Sequence, residues 1–166
     1  MSTFIQPDGI MKGTHDLTNK LSNRFHFSIG DDPTTKLLVR GAPRPTVNNN
    51  EVRIAHLNTV HYQKGRTEFD PLNITLYDFV APSSTQKIME WLAFHSEWST
   101  GRDGYPAFYQ KDCTMEIEGP AGDIVEKWIY RNCMITTANF GDFDWDNDTP
   151  VEINLTIRYQ YPEFKF

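Results

Sequence analysis

Between Glu68 and Trp91 the chain changes from a two-residue period to a helical one. Leu72, Ile74 and Leu76 alternate with Asn73, Thr75 and Tyr77, the pattern of a half-buried strand. Asp70-Pro71 closes that strand in front, and Ala81-Pro82 breaks the pattern behind it. Ser83, followed three residues later by Gln86, reads as a capping box whose side chains satisfy the orphan N–H groups of a first helical turn. Beyond it Ile88, Trp91, Leu92 and His95 fall at i, i+3, i+4 and i+7, while Lys87, Glu90 and Glu97 turn to water. The spacing predicts a strand, a turn and a helix whose apolar stripe covers a sheet.

Alternation recurs along most of the chain. Residues 1–20 are polar, contain Pro7, Gly9 and Gly13 and hold no period, so they read as an arm ahead of a single domain over 21–166. Phe25, Phe27 and Ile29 alternate with Arg24, His26 and Ser28 as the first strand. Gly30-Asp31-Asp32-Pro33 turns the chain, and Lys36 to Arg40 is expected to pair back on that strand as a hairpin. Gly41 to Asn50 reads as a loop because of Pro43, Pro45 and three asparagines. Glu51–His56 and Thr59–Gln63 are expected strands around Leu57-Asn58, with Lys64 to Thr67 a turn whose Gly65 supplies unusual backbone angles. Ser99 to Lys111 reads as a long loop.

Cys113, Met115 and Ile117 alternate with Thr114, Glu116 and Glu118. The turn Gly119-Pro120-Ala121-Gly122 then leads into Ile124–Tyr130, a hairpin. Cys133 to Asn139 is another strand and Gly141 to Thr149 an acidic loop. Val151, Ile153, Leu155, Ile157 and Tyr159 then alternate without error against Glu152, Asn154, Thr156, Arg158 and Gln160, as a central strand with one buried face should. About eight strands, one helix and no βαβ rhythm predict a mainly β fold, a β-sandwich or barrel with one flanking α-helix.

The strand, turn and helix, taken with the ending VEINLTIRYQYPEF, resemble the tail-tube proteins of contractile-tailed bacteriophages. The resemblance covers Phe25 to Phe166 and rests on the order of the pieces and the chain length, since such proteins share no invariant chemical motif. It implies hexameric rings stacked into a hollow tube, inside a sheath, through which DNA passes. Subunit sheets would join side by side into one continuous barrel, leaving no edge within a ring, through a contact whose two sides differ. The implied partners are further copies of the chain, the tail sheath protein, a baseplate tube initiator, a tail terminator and DNA that passes without specific binding. The implied place is the virion tail, assembled in the host cytoplasm. Tube subunits of type VI secretion and of extracellular contractile injection systems look similar in architecture and stand as alternatives.

Composition agrees with such a role. A formal net charge of −6 argues against gripping nucleic acid, which needs cations against phosphates, yet suits a wall that a polyanion passes. The start MSTFIQPDGIMKGTHDL lacks the basic start and apolar core of a secretory signal, and no run is long enough to span a membrane, so folding in a cytoplasm and no membrane partner are expected. Cys113 and Cys133 have no zinc-like companions and read as buried free thiols, with a disulfide as the alternative.

Candidate chemistry is sparse. Asp142, Asp144, Asp146 and Asp148 alternate as in the start of an EF-hand loop, but Asn147 stands where that loop needs glycine and Ile153 where it needs glutamate. His15, His26, His56, His61 and His95 form no ligand or general-base motif, and the GxSxG, GxxxxGK[ST] and GxGxxG signatures are missing. No catalytic residue, metal or cofactor is assigned, and the chain is not read as an enzyme; a hydrolase with an unrecognised site is the remaining enzymatic alternative.

Interaction features are more informative. Phe94 lies off the helix stripe and, with Tyr105, Phe108 and Tyr109 of the following loop, forms a candidate subunit contact; alternatively the loop folds back over Phe94 within one chain. Glu152, Asn154, Thr156, Arg158 and Gln160 are the candidate lumen face. A monomeric β-sandwich that binds a ligand through the Tyr105 to Tyr109 loop is the alternative from a different class.

Overall fold

The computed structural model describes residues 19–30, 32, 36 and 38–165. Residues 1–18 of the expected polar arm lie outside that set, as does most of the expected turn after Gly30.

The chain forms β1 (Phe25–Ile29), β2 (Val39–Gly41), β3 (Val47–His56), β4 (Thr59–Phe69) and β5 (Leu72–Tyr77). Next come helix α1 (Ser84–His95), the short ribbon β6 (Ser96–Glu97) and β7 (Arg102–Asp103), and the one-turn helix α2 (Pro106–Tyr109). Strands β8 (Lys111–Glu118), β9 (Ile124–Asn139), β10 (Glu152–Arg158) and β11 (Tyr161–Lys165) complete it. Seven strands make one nearly closed, barrel-like antiparallel sheet in the order β1-β8-β9-β10-β5-β2, with β11 also on β9. The mainly β fold with a flanking helix is therefore as expected from the alternation.

Period-two alternation decides which face is inside. Leu72, Ile74 and Leu76 of β5 and Ile153, Leu155 and Ile157 of β10 are buried, and register pairs Leu155 with Ile74 and Ile153 with Leu76. Phe27, Met115, Ile117, Tyr130 and Tyr159 extend this core, and Ile88 and Trp91 of α1 close it. The central position expected for the last alternating strand is met by β10, which lies between β9 and β5.

The start of α1 is as predicted at Ser83, whose Oγ accepts from the Gln86 N–H at 3.3 Å. The Gln86 side chain does not reach back, however; it bonds Glu90 instead. Asp78 takes over the other first-turn donors, accepting from the N–H groups of Ser84 (3.1 Å) and Thr85 (3.3 Å) and from the Thr85 hydroxyl (2.8 Å).

Several expectations are corrected. Lys36 to Arg40 does not pair with the first strand: β2 begins at Val39 and pairs with β5 at the far end of the sheet, while β1 pairs with β8, whose apolar Cys113 and Met115 stand opposite Ile29 and Phe27. Only the first part of Gly41 to Asn50 is loop, since β3 starts at Val47 and the asparagines bond across the ribbon, Thr67 Oγ1 donating to Asn49 Oδ1 at 2.8 Å. Lys64 to Thr67 is not a turn but a bulge within β4, where register jumps from Asn49↔Thr67 to Glu51↔Lys64 and leaves an extra residue on β4. Gly65 is needed there for close approach rather than for a left-handed angle: a Cβ on it would lie 2.9 Å from the Asn50 carbonyl oxygen. Ile124–Tyr130 and Cys133–Asn139 are one strand, bent at Asn132 with φ 53° and held there by its N–H donating to Asp112. The Ser99–Lys111 loop holds β7 and α2. Beyond Gln160 the chain adds β11, antiparallel to the first half of β9.

Candidate assembly surfaces

Packing on the backbone of α1, and at Tyr109 on its side chains, fixes the aromatic loop after it. The Gly104 N–H donates to the His95 carbonyl at 2.8 Å, and a Cβ at Gly104 would lie 2.0 Å from the carbonyl oxygen of Phe94, so no other residue fits. Held this way, the loop does not fold over Phe94, which remains 52% exposed beside Lys111, whose Nζ is 5.7 Å from the ring centre. Tyr105 and Phe108 are exposed and meet edge to face at 6.4 Å. Tyr109 is different: its ring stacks on His95 at 4.7 Å and its carbonyl accepts from Trp91 Nε1 at 2.6 Å, so it helps to fix the loop and is half-buried. Trp98, which the pattern did not single out, is exposed in the same segment. Both His95 ring nitrogens are committed, Nδ1 donating to the Trp91 carbonyl at 2.9 Å and Nε2 accepting from the Ile135 N–H at 3.3 Å. That is a structural histidine.

Four of the candidate lumen residues, Glu152, Asn154, Thr156 and Arg158, share the outward face of β10. Asn154 and Thr156 sit in rows with Thr75 and Asn73 of β5 on one side and Asn139 and Thr137 of β9 on the other. Thr75 Oγ1 donates to Asn154 Oδ1 and Thr156 Oγ1 to Asn73 Oδ1, each at 3.0 Å, so the face is a hydrogen-bonded carpet of neutral side chains. Its charges are engaged: Glu152 pairs with Arg40, and Arg158 donates to the Phe69 carbonyl at 3.2 Å. Gln160, past the end of β10, accepts from Asn132.

Where β1, β8, β9 and β11 present their outer face, the chemistry changes to ion pairs. His26 meets Glu118 at 3.1 Å, Lys127 and Lys36 meet Glu116 at 2.7 and 2.8 Å, and Arg131 bridges Asp112 and Glu163. Hydrogen bonds from Lys127 and then Lys36 hold the Glu116 carboxyl below its ordinary value, as Arg131 does for Glu163. Glu126, 5% exposed, is a charge the sequence pattern does not reveal. Burial pushes its pKa up, but Lys20, Trp128 Nε1 and Arg44 together bring it below the ordinary value.

Two further surfaces stand away from the body. Every residue of β3 is exposed, and within β4 Gly65 and Phe69 alone are half-buried, so the β3–β4 hairpin projects from the barrel. Its root is anchored where the Asp70 N–H donates to the Thr46 carbonyl at 3.2 Å and the Phe69 ring lies 5.9 Å from that of Tyr159. At its tip Leu57 is 93% exposed and holds φ 50°, a conformation leucine rarely adopts. The acidic loop between β9 and β10 exposes Phe143 and Trp145. Asp144 there caps its own turn, accepting from the Asp146 N–H at 3.1 Å.

Among the described residues no group of three or more His, Cys, Asp or Glu is placed to hold a metal ion, and no helix is long and apolar enough to cross a membrane. Cys113 and Cys133 are free and buried.

No protein-family model matches the chain, and no curated protein matches it significantly in sequence. Solved structures do match in fold. The tube-terminating cap of the anti-feeding prophage superposes with a TM-score of 0.72 at 13% identity, covering 89% of this chain and 91% of the other. A sheath/tube terminator of the PVC extracellular contractile injection system gives 0.70 at 16% identity over 90% and 98%. The sheath-tube complex of the PVC system gives 0.67 at 16% identity over 99% and 98%. The chain has the fold of tube and terminator components of contractile injection systems.

Proposed function

We propose that this chain is a structural tube subunit of a contractile injection apparatus, closing into rings that stack around a channel. In its specific form the proposal is a phage tail tube: hexameric rings within a sheath, between a baseplate initiator and a tail terminator, conducting DNA in the virion. The observation that carries it is the projecting β3–β4 hairpin on this fold. A two-stranded ribbon with ten exposed residues along one strand is marginal in water by itself, so this one is built to be covered by a neighbour. Edge strands β1 and β2 ask for the same, and side-by-side closure of subunits supplies it. Phe94, Tyr105 and Phe108 are a further contact between copies. The neutral rows around Asn154 and Thr156 support a lumen role, because they carry no cation for a polyanion to hold, and Arg158 at the end of β10 is the one cation of that face without a carboxylate partner among the described residues.

A second reading, a terminator that caps a tube, is favoured by the match to the terminating cap and to the terminator at TM-scores of 0.72 and 0.70. Negative-stain electron microscopy with light scattering over a concentration series separates the readings. Tubes with a central channel support the tube subunit, and rings that never lengthen support the terminator. A particle that stays monomeric at every concentration removes both.

A further inference from the structure

The projecting hairpin and the acidic loop lie at opposite ends of the same strand pair. β4 leads through Asp70-Pro71 into Leu72, so the hairpin is rooted at the Leu72 end of β5. The acidic loop leads into Glu152, which faces Tyr77 in register, so it leaves from the other end. With six residues in β5 the two roots are about 17 Å apart along the strand.

Their chemistry is complementary. From Val47 to Phe69 the hairpin carries Arg53, Lys64 and Arg66 against Glu51 and Glu68, together with His56 and His61, and both arginines lie between the two carboxylates. Register puts Arg53 opposite Tyr62, Ala55 opposite Val60 and Glu51 opposite Lys64, so one ribbon face combines Arg53 with exposed Tyr62 and Val60, and Lys64 on it is balanced by Glu51. Among the described residues neither Arg53 nor Arg66 makes an ion pair. The loop Gly141 to Thr149 carries four aspartates and no cation, and displays Phe143 and Trp145 almost free of contact. One end carries the cations, the other four aspartates, and both display apolar side chains.

We infer that the hairpin of one copy docks on the 142–148 loop of a second copy, in a head-to-tail contact held by Arg53, Lys64 and Arg66 against the aspartates and by apolar hairpin residues against Phe143 and Trp145. This rests on the tube or terminator reading and names the contact within it. Where its rotation does not close a ring, a heterologous contact leaves a free hairpin at one end of the assembly and a free loop at the other, so it propagates. The cations steer the encounter and the aromatic groups supply buried area, which makes assembly weaken with salt. Leu57 at the tip fits this account. A two-residue hairpin turn asks for a positive φ there, which glycine or asparagine adopts at less cost, so leucine gains nothing for an isolated hairpin, whereas an apolar tip gains area when covered.

Two full-length variants test it. Arg53→Glu with Arg66→Glu reverses the hairpin while leaving Lys64 opposite Glu51. Asp142→Lys, Asp146→Lys and Asp148→Lys reverse the loop while leaving Asp144 to hold its turn. Circular dichroism and melting temperature, unchanged from the wild type, show that each folds. Each variant alone is expected to raise the concentration needed for assembly, read by light scattering and negative-stain microscopy, by at least tenfold. An equimolar mixture is expected to recover it, because the acidic hairpin of one meets the basic loop of the other. Wild-type assembly by either variant alone, or no recovery in the mixture, overturns the pairing while leaving the tube reading intact. A wild-type chain that never assembles overturns both.

Discussion

Cys113 and Cys133 lie in the core against Tyr130, and the thiol hydrogen bond they share, followed by burial, pushes the Cys113 thiol well above its ordinary range. Burial likewise raises the phenols of Tyr130 and Tyr159. All three groups keep in the folded state a proton that the unfolded chain gives up, near pH 8.5 for cysteine and near pH 10 for tyrosine. Their contribution is therefore complete below those values and is lost as pH rises. For the thiol the slope is about 1.4 kcal/mol per pH unit until the folded group itself titrates. Melting temperature should thus hold to about pH 8.5 and then fall. In Cys113→Ala the fall should begin closer to pH 10, and an unchanged onset in that variant would remove the thiol from the account. In the native protein neither thiol should react with a disulfide reagent at neutral pH, while both react in denaturant. On the acid side the sign reverses. Glu116 and Glu163, held low by Lys127 and Arg131, contribute stability above the ordinary carboxylate pKa that is lost as pH falls through their lowered values.

The start of α1 shows what local pattern carries and what it omits. Ser83 is legible because a serine three residues before a glutamine, ahead of an apolar stripe, has one common physical use; Asp78 is not, because it reaches the same N–H groups from the end of β5 across a turn. Asp78→Ala should cost about 1–2 kcal/mol in urea unfolding and Ser83→Ala about half that, and a larger loss at Ser83 would reverse the assignment of the cap. The same division runs through the sheet. Half-buried strands such as β5, β8 and β10 announce themselves, since one face must be apolar. The outer reaches of β3 and β4 do not, because both of their faces are exposed and nothing enforces alternation on Asn48, Asn49 or Lys64. Pairing between distant elements is equally silent: β2 sits next to β1 in sequence but on the opposite edge of the sheet. At the candidate contacts, Phe94 was legible from helix geometry, while the inward role of Tyr109 depends on His95, fourteen positions away and on another element.

At the scale of the whole molecule, the sheet has two outer regions of opposite character. Ion pairs cover β1, β8 and β11, and neutral asparagine and threonine rows cover β5, β10 and the second half of β9. Paired charges suit a surface that faces water or another protein, where partners are chosen by register. A channel wall has the opposite requirement, since any unpaired cation along it binds a polyanion once per subunit and the contacts add up around and along the tube. The proposed lumen face can therefore be tested by giving it charge without disturbing the core. Asn154 and Thr137 are exposed, lie in adjacent rows and point away from the buried set, so Asn154→Lys with Thr137→Lys should cost no more than about 1 kcal/mol. Tubes of the double variant are expected to form normally and to retain more short duplex DNA at low salt than wild-type tubes do, releasing it as salt rises. If the variant tubes hold no more DNA than the wild type, this face does not line the channel, and the ion-paired region becomes the wall that the DNA passes.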